Sequence, residues 1–132
     1  MPVLYEIDRA HALVRTTCAG LVTFEQVMAH FGALERDPRR RGVMDVVLDL
    51  RHVTSTPETS QLRQVAERME AGKAALQYGR CAIVAIEPEH IGMAKLFVQF
   101  ARTRFAAATV VPTIDDAERW LWDSAAQSEA AG

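Results

Sequence analysis

Two uninterrupted apolar runs, Val46-Val47-Leu48 and Cys81-Ala82-Ile83-Val84-Ala85-Ile86, constrain this chain more than any other feature. Strands covered by helices on both faces read this way, whereas half-exposed strands alternate. Pro57 follows the first run by nine residues and Pro88 the second by two, and each proline opens a helical pattern. A strand leading through a short turn into a helix is the repeating unit of a parallel sheet.

The remaining segments fit that unit. Val3, Tyr5 and Ile7 alternate with Leu4, Glu6 and Asp8, and Ala12 to Cys18 forms a second strand-like stretch. Asp8 to His11 between them suits a turn, so the chain opens on a hairpin, which Gly20 ends. Thr23 and Gln26 are spaced as a capping box ahead of Phe24, Val27, Met28, Phe31 and Leu34, and Asp37-Pro38 stops that helix. Met44 to Leu50 is the central strand, with Asp45 and Asp49 terminating its buried run. Thr56 as N-cap and Pro57 at the first helical position start a second helix with Leu62, Val65, Ala66 and Met69 inward and Gly72 at its end. A third helix runs from Pro88 to about Phe105, Ala107 to Val111 is the last strand, and a final helix follows Thr113, with Ala117, Trp120 and Leu121 inward.

The predicted order is ββαβαβαβα: an α/β fold with a mixed, mostly parallel five-stranded sheet and about four helices. At 132 residues the chain makes one domain, 1–123, with a flexible tail at 124–132. The net charge of −2 gives no global argument for nucleic acid. The basic run Arg36, Arg39-Arg40-Arg41 reads as a solvated connection. No apolar stretch is long enough to span a bilayer, and the N-terminus lacks the pattern of a signal peptide. Cys18 and Cys81 match no metal or redox spacing and read as small apolar residues in a reducing cytoplasm.

Asp49-Leu50 at the strand end, Val53 in the turn, the helix start at Pro57 and the closing Ala117-Glu118-Arg119-Trp120-Leu121 resemble the SpoIIAA-like fold, which includes the STAS domains. Gly20, Thr23, Asp37-Pro38, Asp49-Leu50-Arg51 and Gly92-Met93-Ala94-Lys95 also resemble a group of small bacterial proteins of that fold. The resemblance implies a non-enzymatic regulatory module that docks on a protein partner through the turn after the central strand and an adjoining helix. Regulatory members carry an Asp-Ser pair at the helix start, whose serine is phosphorylated. Here Pro57-Glu58 stands in that place. Thr54, Ser55, Thr56, Thr59 and Ser60 are nearby hydroxyls that could substitute, and Glu58 could mimic a constant charge; the plainer reading of all of them is as turn and cap residues at a helix start.

Two further readings remain. On the third helix, Met93, Leu96 and Phe100 fall opposite the face made by Ile91, Ala94 and Val98, with Phe97 between. Bare, they would form a dimer seam or partner surface; covered by a neighbouring helix or by Trp122, they would be core. Part of the wider fold group that the chain resembles is associated with small apolar or lipid-like ligands. The resemblance implies such a site between the third helix, the second helix and the sheet, where Met69, Met93, Leu96 and Phe97 could give the lining. An enzyme ranks last: His11, His30, His52 and His90 are scattered without metal spacing, and only His52, with Asp49 and Ser55, suggests an acid–base group. No cofactor or metal is expected.

Overall fold

A computed structural model describes residues 2–40 and 42–131, with side chains through Asp123. The expected tail, 124–132, lies outside the residues described to the side chain. β1 (Val3–Asp8) and β2 (Leu13–Gly20) form the expected antiparallel hairpin, with Tyr5 opposite Thr16. Next come α1 (Phe24–Arg36), β3 (Val43–Val53), α2 (Thr59–Ala71), β4 (Gln77–Val84), α3 (Pro88–Phe100), β5 (Ala107–Val111) and α4 (Ile114–Ala131). The sheet order is β1-β2-β3-β4-β5, and every pair from β2 onward is parallel. The mixed, mostly parallel sheet is therefore as expected. Among the described residues no helix is long and apolar enough to cross a membrane.

Strand order fixes where the helices lie. Crossovers between adjacent parallel strands share one hand, so three successive crossovers place α1, α2 and α3 on a single face. Strand alternation then sorts the side chains. Leu13, Val47, Ala82 and Val84 meet Ala117 and Leu121 of α4 on the other face. Cys18, Leu50, Cys81 and Ile83 point under α1–α3 with Ala94.

The helix ends show which local rules held. The capping box at α1 has both bonds: Gln26 N–H donates to Thr23 Oγ1 at 3.2 Å, and Thr23 N–H donates to Gln26 Oε1 at 2.8 Å. Asp37 ends α1 as expected, and Tyr5 and Arg39 both donate to its carboxylate. Thr113 Oγ1 accepts from Asp116 N–H at 3.0 Å before α4. At α2 the expectation needs correcting. The helix starts at Thr59 with Glu58 as N-cap, where Gln61 Oε1 accepts from the Glu58 N–H at 3.0 Å. Thr56 and Pro57 belong to the extended lead-in, because Ser55 is tied to another loop three residues before the cap.

Three other boundaries move. β3 runs on to Val53, since Gly20 and Ala19 of β2 continue to pair with it. Asp45 and Asp49 therefore lie within the strand rather than ending it. Asp45 accepts from the Arg80 N–H at 2.8 Å, and Arg51 clasps both oxygens of Asp49 at 2.9 Å. β4 is displaced toward the N-terminus by its pairing with Val43–Asp49, which leaves Ile86 exposed. α3 stops at Phe100, five residues early: Arg104 N–H bonds Ala101 O at 2.8 Å in a turn, and Ala106 N–H then joins Gly79 O to start β5.

Candidate functional site: an apolar cavity under three helices

Between the sheet and α1–α3 lies a cavity of about 520 Å³. Its floor is the inward row of the strands: Val14, Thr16 and Cys18 of β2, Val46 and Leu48 of β3, Cys81 and Ile83 of β4. Its walls are Val27, His30 and Phe31 of α1, Leu62, Val65 and Met69 of α2, and Met93 and Phe97 of α3. These are the inner stripes of the three helices, so the pattern that makes them amphipathic also makes the lining apolar. The exposed lining residues, Leu21, Thr23, Glu25 and Thr56, all lie at the carboxyl edge of the strands, which puts the mouth there. Ligands in open α/β sheets bind outside this edge.

The closed end is held by charge. Arg68 of α2 grips the Glu35 carboxylate of α1 with two bonds, 2.6 and 2.7 Å long. Gly72 leaves room for that pair, since a Cβ there would collide with the Glu35 carboxylate. At the mouth, the loops leading into α1 and α2 are joined by neutral bonds. Ser55 Oγ accepts from Val22 N–H at 3.0 Å and donates to Val22 O at 3.3 Å, and Thr54 N–H donates to Gly20 O at 2.9 Å. Ser55→Ala would leave both Val22 groups without that partner. We expect a loss of about 1–2 kcal/mol, measured by urea unfolding; a change below the error of the titration would show that the bonds are replaced by water without penalty.

Inside, the electrostatics are nearly blank. Among the described lining residues, Glu25 is the one formally charged side chain, and it is exposed in the first turn of α1. Burial pushes the Cys18 thiol up to about 11, helped by the nearby Asp49 charge. Burial likewise raises Cys81 to about 12, with Asp45 adding to it. Neither is a thiolate near neutral pH, so neither is poised as a nucleophile. Burial alone lowers His30 to about 4, so its imidazole is neutral. Its ring stands edge-on to Tyr5 at 5.4 Å and tilted to Phe31 at 5.5 Å.

The residues singled out in the sequence fall around this cavity unequally. Thr54, Thr56, Glu58 and Thr59 are exposed on the rim, and Thr56 Oγ1 donates to Glu89 Oε2 of α3 at 3.3 Å. Ser55 is half-buried in its bonds to Val22. Met69, Met93 and Phe97 line the cavity; Leu96 is half-buried and does not. The second face of α3 is not bare. Phe100 packs beside Phe31, Ala66 and Met69, with the Arg63 guanidinium over its ring at 4.9 Å. The cover comes from α2, whereas Trp122 packs against His11. The surmised acid–base group is not assembled: Arg51 holds Asp49, Val22 holds Ser55, and His52 bonds neither among the described residues. Burial pushes the Asp49 carboxyl up, but the Arg51 bonds outweigh it and hold it below the usual range.

Sequence reasoning missed Thr16 and His30. Both were readable. Val27, His30 and Leu34 follow helical spacing, and Thr16 alternates with Val14 and Cys18 on the inward row. No protein-family model and no curated protein matches the chain.

Proposed function

We propose that this chain binds one small apolar or amphipathic molecule in the cavity between the sheet and α1–α3. The observation that carries the reading is the cavity itself. Its volume of about 520 Å³ lies within the roughly 300–1,000 Å³ range of small-molecule sites. Its lining is apolar and its charge is confined to the rim. A protein whose role was mechanical would gain stability by filling that space, because unfilled volume forfeits dispersion contacts. In this reading the chain is a cytoplasmic, STAS-like member of the SpoIIAA-like fold, acting as a non-enzymatic carrier or sensor.

Fluorescence titration of the purified chain with N-phenyl-1-naphthylamine, an uncharged apolar probe, tests the reading. Saturable one-to-one binding with a blue-shifted emission is expected. Val65→Trp places an indole in the cavity from α2 and should weaken the probe at least ~10-fold, about 1.4 kcal/mol, with native circular dichroism retained. Leu62→Phe serves as a second blocking variant. Non-saturable binding, or full affinity in both folded variants, would sink it.

A second reading, docking of a protein partner, is favoured by the exposure of Thr54, Thr56, Glu58 and Thr59 beside the mouth. A partner seated there, or a phosphate on one of the threonines, would sense whether the cavity is filled. Intact-mass spectra of protein from its native cell, lacking any phosphorylated fraction in all growth conditions, would count against the phosphate.

A further inference from the structure

We infer that the cavity selects uncharged amphiphiles bearing one hydrogen-bonding oxygen, which Thr16 and His30 read at the wall between β2 and α1. The inference rests on the cavity being the binding site proposed above and adds the class of ligand.

Most polar groups around the cavity are committed. Thr23 and Gln26 cap α1, Gln61 holds the Glu58 N–H, and Ser55 holds Val22. Thr16 is different. It is only 4% exposed, faces the cavity from the middle of β2, and has no side-chain hydrogen-bond partner among the described residues. Its oxygen is not sealed but open to the cavity, so a ligand that displaces water from it must itself supply a partner oxygen or N–H. His30 also lines the cavity with no such partner among the described residues. A neutral imidazole offers one donor and one acceptor.

The two residues converge through Tyr5. Tyr5 is the cross-strand partner of Thr16, so the two side chains share a face, and its ring touches that of His30. Tyr5 is itself no candidate, because its hydroxyl donates to Asp37 at 2.8 Å. The remaining uncommitted hydroxyl, Tyr78, stands elsewhere. Thr16 and Ile83 are both level with Leu48. Tyr78 lies five residues before Ile83 along β4, roughly 16 Å at the usual strand rise, and packs on Phe105.

Charge decides the rest. A carboxylate or phosphate drawn into this lining would find no cation and would meet Glu25 at the mouth. A buried unpaired ion is strongly disfavoured. An alcohol, ketone or ester carries an oxygen that Thr16 and His30 can satisfy without that penalty.

Isothermal titration at pH 7.5 with naphthalene, 2-naphthol and 2-naphthoate tests this, because the three share one apolar body. A hydroxyl that finds no partner weakens binding relative to the hydrocarbon, so the order itself is informative. We expect 2-naphthol to bind about 2–10-fold tighter than naphthalene, the effect of one net hydrogen bond, and 2-naphthoate to bind at least ~10-fold weaker than 2-naphthol. Thr16→Val and His30→Phe should each bring 2-naphthol down to the level at which the same variant binds naphthalene. His30→Gln, which keeps a donor and an acceptor, should retain the preference, and Tyr78→Phe should not disturb it. If none of the three binds saturably, the cavity itself is not a binding site. If all bind alike, if 2-naphthoate binds tightest, or if the variants weaken naphthalene as much as 2-naphthol, the cavity stands and this selectivity is wrong.

Discussion

Leu121→Ala should lower the free energy of unfolding by about 2–5 kcal/mol while leaving the affinity for an apolar probe unchanged. The size of the effect follows from burial. Leu121 is 5% exposed and packs against Leu13, Val47, Ala82, Val84 and Ala117. Its removal opens a hole in a face that is otherwise filled, where neighbours held by the sheet can relax only in part. The specificity follows from strand alternation. Every partner of Leu121 points away from α1–α3, so the probe meets none of them. Urea unfolding and fluorescence titration of the same preparation decide it. A loss below ~1 kcal/mol would mean that α4 is weakly docked, and a changed affinity would mean that the two faces of the sheet are coupled.

Acidification should destabilise the protein well before its carboxylates titrate. His30 has a folded value of about 4 against an ordinary 6.5, because burial disfavours the imidazolium. Between those values the unfolded chain binds a proton that the folded chain does not. The stabilisation is therefore complete above pH 6.5 and is lost as pH falls through 4. The full loss is on the order of 3 kcal/mol at 1.36 kcal/mol per pKa unit. Asp37 adds to the acid side at lower pH, because the Arg39 hydrogen bonds hold it far below the usual carboxylate range. Unfolding titrations at pH 7.5, 6.0 and 4.5 should show the decline, and His30→Phe should flatten it across that window. A wild-type profile that stays level down to pH 4.5 would show that the ring is solvated. An apolar ligand in the cavity should deepen the decline, since it dries the surroundings of the imidazole further.

Much of the fold was written plainly in the chain. The runs at Val46 and Cys81 could only be covered strands, and Thr23 with Gln26 and Asp37 with Pro38 bounded α1 correctly, because caps and proline act within a few residues. The start of α2 was misread for the opposite reason. Thr56-Pro57 is a sound local signal, but Ser55 bonds Val22, which lies 33 residues earlier, and a contact across that distance leaves no trace in sequence spacing. The site was legible in part. Of the four residues read as an apolar lining, Met69, Met93 and Phe97 line the cavity and Leu96 does not. That the lining encloses a space rather than closing on itself depends on how far three helices stand from a sheet, and a hydrophobic pattern is the same in either case. Thr16 was passed over because threonine is at home in strands; its place on the inward row was readable, but its lack of a side-chain partner was not.

The bracing of α1 against α2 is lopsided. At their carboxyl ends Glu35 and Arg68 form a doubly bonded ion pair, whereas at their amino ends the chain is fastened by neutral bonds from Thr54 and Ser55 to Gly20 and Val22. Charge-assisted bonds are about twice as strong as neutral ones. Thermal motion is therefore expected to spread these helices at the rim first, with the guanidinium clasp as the pivot. Under the proposed binding, a guest passing in or out would work against the two Ser55 bonds and the Thr54 backbone bond rather than against the roof as a whole.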